Sequence, residues 1–129
     1  MRRDARSIFA TLRRALQLRC PVCGRAPVFA APFRVRHHCP DCRALFQREP
    51  GFFVGAIMIN VVTTELTVLL AYLACLLALG PARQQLLLYA LFAVGLLFPV
   101  AFYHHSWSLW LAADHLIESL PRADNLEAD

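Results

Sequence analysis

Residues 19–42 read RCPVCGRAPVFAAPFRVRHHCPDC, and the use of their four cysteines decides what the rest of the chain can be. Cys20 and Cys23 form one C-P-x-C pair, fifteen residues intervene, and Cys39 and Cys42 form the second. That spacing falls within the C-x2-C-x15–20-C-x2-C pattern of zinc sites. Each C-x-x-C turn presents two thiolates to one ion, and two turns complete a tetrahedron of sulfur. Gly24, directly after the first pair, suits a tight turn there. The intervening APVFAAPFRVRHH carries too little apolar mass to fold unaided, so metal binding would supply the folding energy. Cys20, Cys23, Cys39 and Cys42 are the expected ligands and zinc the expected metal. Spacing alone leaves iron open. His37 and His38 abut Cys39 and are expected beside the site rather than in it. Disulfides conflict with the reducing side on which this module is expected. A thioredoxin-type pair needs a βαβ context that fifty residues do not supply. Four protein ligands leave no open position, which points to a structural site.

Outward from the cysteines, two long apolar blocks dominate a chain of 129 residues that is 58% hydrophobic. Residues 52–79 and 86–113 each exceed the roughly 20 residues that cross a hydrocarbon core of about 30 Å. Buried helices of a soluble domain would need a polar shell larger than the remaining fifty residues provide. The expected fold is therefore a small N-terminal zinc ribbon (20–48) preceded by an amphipathic interfacial helix (1–19), then an all-α two-helix transmembrane hairpin. Its second helix is expected to run into an interfacial helix, followed by a cytoplasmic tail (114–129) that frays at PRADNLEAD. No signal-peptide pattern precedes the first span.

Charge sets the expected orientation. Residues 1–50 hold eleven arginines against Asp4, Asp41 and Glu49, whereas the loop GPARQQ between the spans holds only Arg83. Counting basic residues near the spans places the N-terminal module and the tail in the cytoplasm. The arginines also suit contact with anionic headgroups. Only Phe29 and Phe33 interleave with them as a single-strand binder would need, which argues against nucleic acid. In RRDARSIFATLRRALQLR, Ile8, Leu12, Ala15 and Leu16, with Phe9 beside them, form one apolar face of a helix suited to the headgroup plane. The competing reading packs that face on the ribbon.

In the first span Ala56, Asn60, Thr63, Thr64, Thr67, Ala71 and Ala78 share a small-and-polar face, expected to meet Ala90, Ala93, Gly95 and Ala101 of the second. Glu65 falls on another flank, about 140° from Asn60. An acidic side chain facing lipid near the bilayer centre costs about 2.5–3.5 kcal/mol on insertion scales. Two lipid-avoiding faces with one neighbouring helix imply a homo-oligomer or a membrane-protein partner. Folding the hairpin about its loop instead puts residues 62–63 level with the end of the second apolar run at Phe102, so that Glu65 would snorkel. His104 and His105 diverge by about 100° on a helix, so one metal does not take both. One of them is a candidate polar partner of Glu65, against the plainer reading of interfacial histidines without a ligand. Pro99 is expected to kink the second span.

Taken together, C20-P-V-C-G24, C39-P-D-C42, REPGFFVGAIMI and FPVAFYHHSWSLWLAAD resemble the bacterial domain of unknown function 983 family, from about Leu16 to Asp114. The resemblance implies two spans and a cytoplasmic zinc ribbon in the bacterial inner membrane. It offers no catalytic residues to carry over. Some members are encoded beside genes for building haem–copper cytochrome oxidase, which implies an accessory or assembly role. Two functions follow as expectations. One is a membrane-anchored adaptor whose ribbon docks a client and whose Asn60, Thr63, Thr64, Glu65 and Thr67 contact it within the bilayer. The alternative is a small transporter or metal-handling protein with Glu65, His104 and His105 as a relay. No nucleophile–base pair, phosphate-binding glycine loop or open metal site suggests an enzyme.

Overall fold

The computed structural model of the chain describes residues 4–122 and Asp124. Helix α1 (Ala5–Leu16) starts after Asp4, whose carbonyl accepts the Ser7 amide and hydroxyl, each at 2.8 Å. It stops where Leu18 turns into the left-handed region at φ 57°. There the Leu18 amide bonds to the Ala15 carbonyl (2.9 Å) and the Arg19 amide to that of Arg14 (3.0 Å). This is a Schellman ending made without the usual glycine.

A two-stranded antiparallel hairpin follows, β1 (Phe29–Ala31) and β2 (Arg34–Val35), with Phe29 opposite Val35. Glu49-Pro50-Gly51-Phe52 then turns the chain into α2 (Phe53–Leu79). The Phe52 amide reaches the Glu49 carbonyl at 3.2 Å, and Gly51 holds φ 94°. Proline at the second position and a positive φ at the third define a type II turn, which Gly51 satisfies without strain. After α2 a short 3-10 turn, Pro81–Arg83, leads into α3 (Gln84–Ile117).

Both long helices are apolar and long enough to cross a membrane. At 1.5 Å per residue α2 is about 40 Å long and α3 about 51 Å. A span thus accounts for only part of α3. The excess is not a separate helix lying along a surface. It continues unbroken through Pro99 to Ile117 and becomes the post on which the N-terminal region is built. Along α3, Leu97 is 70% exposed, whereas Ser106, Ser108, Leu111 and Ala112 are buried.

The buried cluster of the N-terminal region joins Cys20, Ala26, Val28, Cys39, Ala44 and Phe46 to Leu111 of α3 and Leu120 beyond it. Residues 20–48 therefore do not close a core alone, and α3 completes it. The C-terminal segment adds to the same body. The Leu45 amide bonds to the Pro121 carbonyl at 2.9 Å, and Ala44 bridges Arg122. The frayed tail expected at PRADNLEAD is thus corrected for Pro121, Arg122 and Asp124, which dock on the cysteine region. Residues 123 and 125–129 lie outside the described residues. The physical reason is Leu120, an apolar side chain that finds a place in the core.

Helix α1 packs against α3. Its buried residues are Thr11 and Ala15, while Ile8, Phe9, Leu12 and Leu16 remain exposed. Most of its apolar face is thus left uncovered, as a helix lying in headgroups would leave it.

Candidate metal centre

Two turns of the same construction carry the cysteines. In the first, the Gly24 amide bonds to the Cys20 carbonyl (2.8 Å) and the Cys20 amide to the Ala26 carbonyl (2.9 Å). In the second, the Arg43 amide bonds to the Cys39 carbonyl (3.0 Å) and the Cys39 amide to the Ala44 carbonyl (2.9 Å). The residue after each pair is left-handed, Gly24 at φ 71° and Arg43 at φ 56°. Glycine takes this conformation freely, whereas arginine is strained there by about 1–2 kcal/mol.

All four sulfurs lie within 4.8 Å of one another. The Cys20–Cys42 and Cys23–Cys39 sulfurs are each 3.7 Å apart, and none of the four forms a disulfide. Four sulfurs at the zinc–sulfur distance of about 2.3 Å form a tetrahedron with edges of about 3.8 Å. The donor set therefore fits a metal such as zinc, and all four vertices come from the chain.

The local electrostatics call for a cation. Burial pushes the Cys20 thiol far above its ordinary value of 9.0, against the opposing backbone amides of Cys23 and Val22. Burial likewise raises Cys42. At Cys23 burial opposes ionisation too, but the amides of Arg25 and Ala26 and the thiols of Cys39 and Cys20 bring it down to about 7. A bound cation supplies the compensation that lets buried thiolates persist.

Arginines the sequence reading left unassigned fasten this region to the helices. Arg14 of α1 donates to the carbonyls of Val22 (2.9 Å) and Pro21 (3.3 Å), inside the first cysteine turn. Arg48 donates to Asp114 Oδ2 (2.8 Å) and to the Glu118 carbonyl (2.9 Å), and pairs with Glu118 Oε2 at 3.1 Å. It thereby holds the C-terminal end of α3, where the helix dipole favours a cation. No spacing motif announces either contact: the Arg48 partners lie 66 or more residues away, and Arg14 reaches carbonyls seven and eight residues on only because the chain turns back after α1.

The intramembrane candidates separate into two groups. Asn60 Nδ2 donates to the Pro99 carbonyl of α3 at 2.9 Å. Thr64 and Thr67 instead return their hydroxyls to the carbonyls of Asn60 and Thr63 one turn back, each at 2.7 Å. Thr63 is half-buried. The small-residue seam is corrected: Gly95 is half-buried, but Ala78, Ala90, Ala93 and Ala101 are exposed, and on α3 the half-buried places go to the larger Leu91, Val94 and Phe98, which bury more apolar surface. Val68 lies 4.0 Å from a Cβ built on Gly95. The Asn60–Pro99 and Val68–Gly95 contacts bracket Glu65 at the level of Gly95 to Pro99. That lies inside the apolar run and deeper than folding the hairpin about its loop suggests. Glu65 is exposed, without hydrogen bond or ion pair among the described residues. It lines two adjoining grooves beside the α2–α3 seam, of about 420 and 370 Å3, which share Thr64 and Glu65.

The histidines go elsewhere. His104 Nε2 hydrogen-bonds the Pro32 carbonyl at the hairpin tip, and its ring centroid lies 4.7 Å from that of Phe29 and 5.7 Å from that of Phe33. His105 stacks on Phe102 at 6.0 Å. The structure thus brings the four cysteines together, and it places His104 against the hairpin rather than against Glu65.

No protein-family model, curated protein or solved structure matches the chain. What stands is a class: four clustered cysteines able to hold a metal such as zinc, followed by two helices able to span a membrane.

Proposed function

We propose that the protein is a membrane-anchored zinc-ribbon adaptor, an accessory subunit of a membrane complex in the bacterial inner membrane. The ribbon and both termini face the cytoplasm. The observation that carries this reading is the shared core: Leu111 of α3 is fully buried among Cys20, Cys39 and Phe46. A metal-closed body built into a spanning helix offers a rigid docking surface, and its closed coordination suits structure rather than turnover. Within the bilayer, the groove carrying Glu65 is the client-facing side. A carboxylate at that depth needs a partner that donates to it. On the family resemblance, the expected client is a subunit or assembly factor of cytochrome oxidase.

Affinity purification from native membranes in mild detergent, with mass spectrometry of the eluate, tests the adaptor. Stoichiometric membrane-protein partners that disappear in C39S/C42S support it, and a client complex unaffected by that variant removes the docking role. The transporter reading draws on the same unpaired Glu65. Against it, the bond to Pro32 takes His104 out of the relay. Flux abolished by E65Q, with metal content intact, would restore that reading.

A further inference from the structure

Beside the hairpin lies a cleft of about 220 Å3 whose lining includes Arg34, Arg36, His37, His38, Ala30 and Pro40. No carboxylate lines it, and no ion pair reaches Arg34 or Arg36 among the described residues. The Nε of Arg36 is closed off from solvent with no hydrogen-bond partner. A buried N–H left without an acceptor carries a desolvation cost. Arg34 closes the hairpin in β2 and Arg36 follows just past its end, and both line the same cleft. Two guanidinium forks with imidazoles beside them match the oxygens of a phosphate.

The hairpin's place on α3 identifies the source of that phosphate. Pro32 and Phe29 meet His104, and Phe33 meets Tyr103 at 5.5 Å, just where the apolar run of α3 ends at Phe102. Phe33 itself is 68% exposed at the hairpin tip. An exposed aromatic at the end of a span sits at headgroup depth. We infer that this cleft is a binding site for the phosphate of an anionic phospholipid. The inference rests on the reading that α2 and α3 cross a bilayer.

The test titrates the purified full-length protein with phosphatidylglycerol in nonionic detergent and reads bound lipid by native mass spectrometry. Phosphatidylcholine is the reference lipid, and membrane anchorage is scored separately by carbonate extraction, so a soluble chain and an empty cleft give different results. R34Q/R36Q should bind phosphatidylglycerol about thirtyfold more weakly than wild type, as expected for two lost basic contacts. R6Q/R13Q, with the same charge removed from α1, should stay within about threefold of wild type. Equal losses in the two variants would overturn the site in favour of diffuse attraction. Should R34Q/R36Q fail to keep its metal or helicity, R34K/R36K carries the test: it keeps the charge, loses the forks, and should bind about tenfold more weakly. Unchanged affinity in that variant sinks the proposal. Inorganic phosphate, or a uridine oligonucleotide, bound through the same pair as tightly as phosphatidylglycerol overturns the lipid assignment.

Discussion

The two ends of α3 are one helix with opposite burial. Toward the loop, Leu96, Leu97 and Val100 point outward, while Leu91, Val94, Gly95 and Phe98 are half-buried. Past Tyr103 the order inverts, with Ser106, Ser108, Leu111 and Ala112 buried beneath the cysteine region and α1. In the first stretch apolar surface faces out, as it would on a helix able to span a membrane. In the second it faces in, away from water. The change falls at Tyr103–His105, where the hairpin tip touches down. Burial thus divides one helix into a stretch that leaves its large apolar side chains outside and a stretch that takes them in.

The largest effect should come from the metal. Chelation, or C39S/C42S, should abolish hydrogen-exchange protection across residues 20–46. Structural zinc contributes on the order of 10 kcal/mol to such modules. Helicity of α2 and α3 in detergent should persist. Protection that survives chelation would show that Phe46 and Leu111 suffice without metal.

Next comes a matched pair on α3. Leu111→Ala should cost about 2–5 kcal/mol and loosen the cysteine region, because the cavity opens in a closed core. Leu97→Ala, on the exposed stretch, should change the thermal midpoint in detergent little. Equal effects would dissolve the contrast between the two ends.

The glycines make a finer pair. A Cβ on Gly55 would lie 2.2 Å from the Trp110 ring, whereas one on Gly95 would find Val68 at an ordinary 4.0 Å. Gly55→Ala should therefore destabilise by about 1–3 kcal/mol. Gly95→Ala should be close to neutral. Midpoints measured side by side in one detergent check this, and a tolerant Gly55 would mean that Trp110 is free to swing away.

The smallest effect belongs to Asn60. Asn60→Leu removes the bond to the Pro99 carbonyl and should cost about 0.6 kcal/mol, the average for side-chain bonds between spanning helices. A crosslinking register between α2 and α3 that slips in this variant would give Asn60 a larger part in alignment than in stability.

Much of the fold was legible in residue order. Cysteine spacing pointed to the cluster, and apolar run length marked both helices to within a few residues at each end. Those signals are local or periodic, so they survive without a structure. What they could not carry was the pairing of distant faces. Leu111 and Leu120 belong to the cysteine core, yet their neighbours in sequence read as helix and tail. Arg14 and Arg48 look like members of a charge run until their carbonyl and carboxylate partners are seen. Asn60 was marked for contact across the seam, but the adjacent threonines satisfy themselves on their own helix, which periodicity does not distinguish. The depth of Glu65 depended on the register between the helices, and a loop of six residues does not fix that register. His104 was weighed against Glu65 because both are polar in apolar surroundings. The hairpin that claims it lies some seventy positions earlier.

Because Leu111 belongs at once to α3 and to the cysteine core, the cysteine-bearing body has no hinge of its own. From Pro99 to Ile117 the helix forms an arm of about 27 Å. A swing of only about 5° about Pro99 would carry its far end through about 2 Å, and the cysteine turns would travel with it. A sideways push on α3 at the groove that holds Glu65 and Pro99 would be felt as a displacement of the cysteine turns.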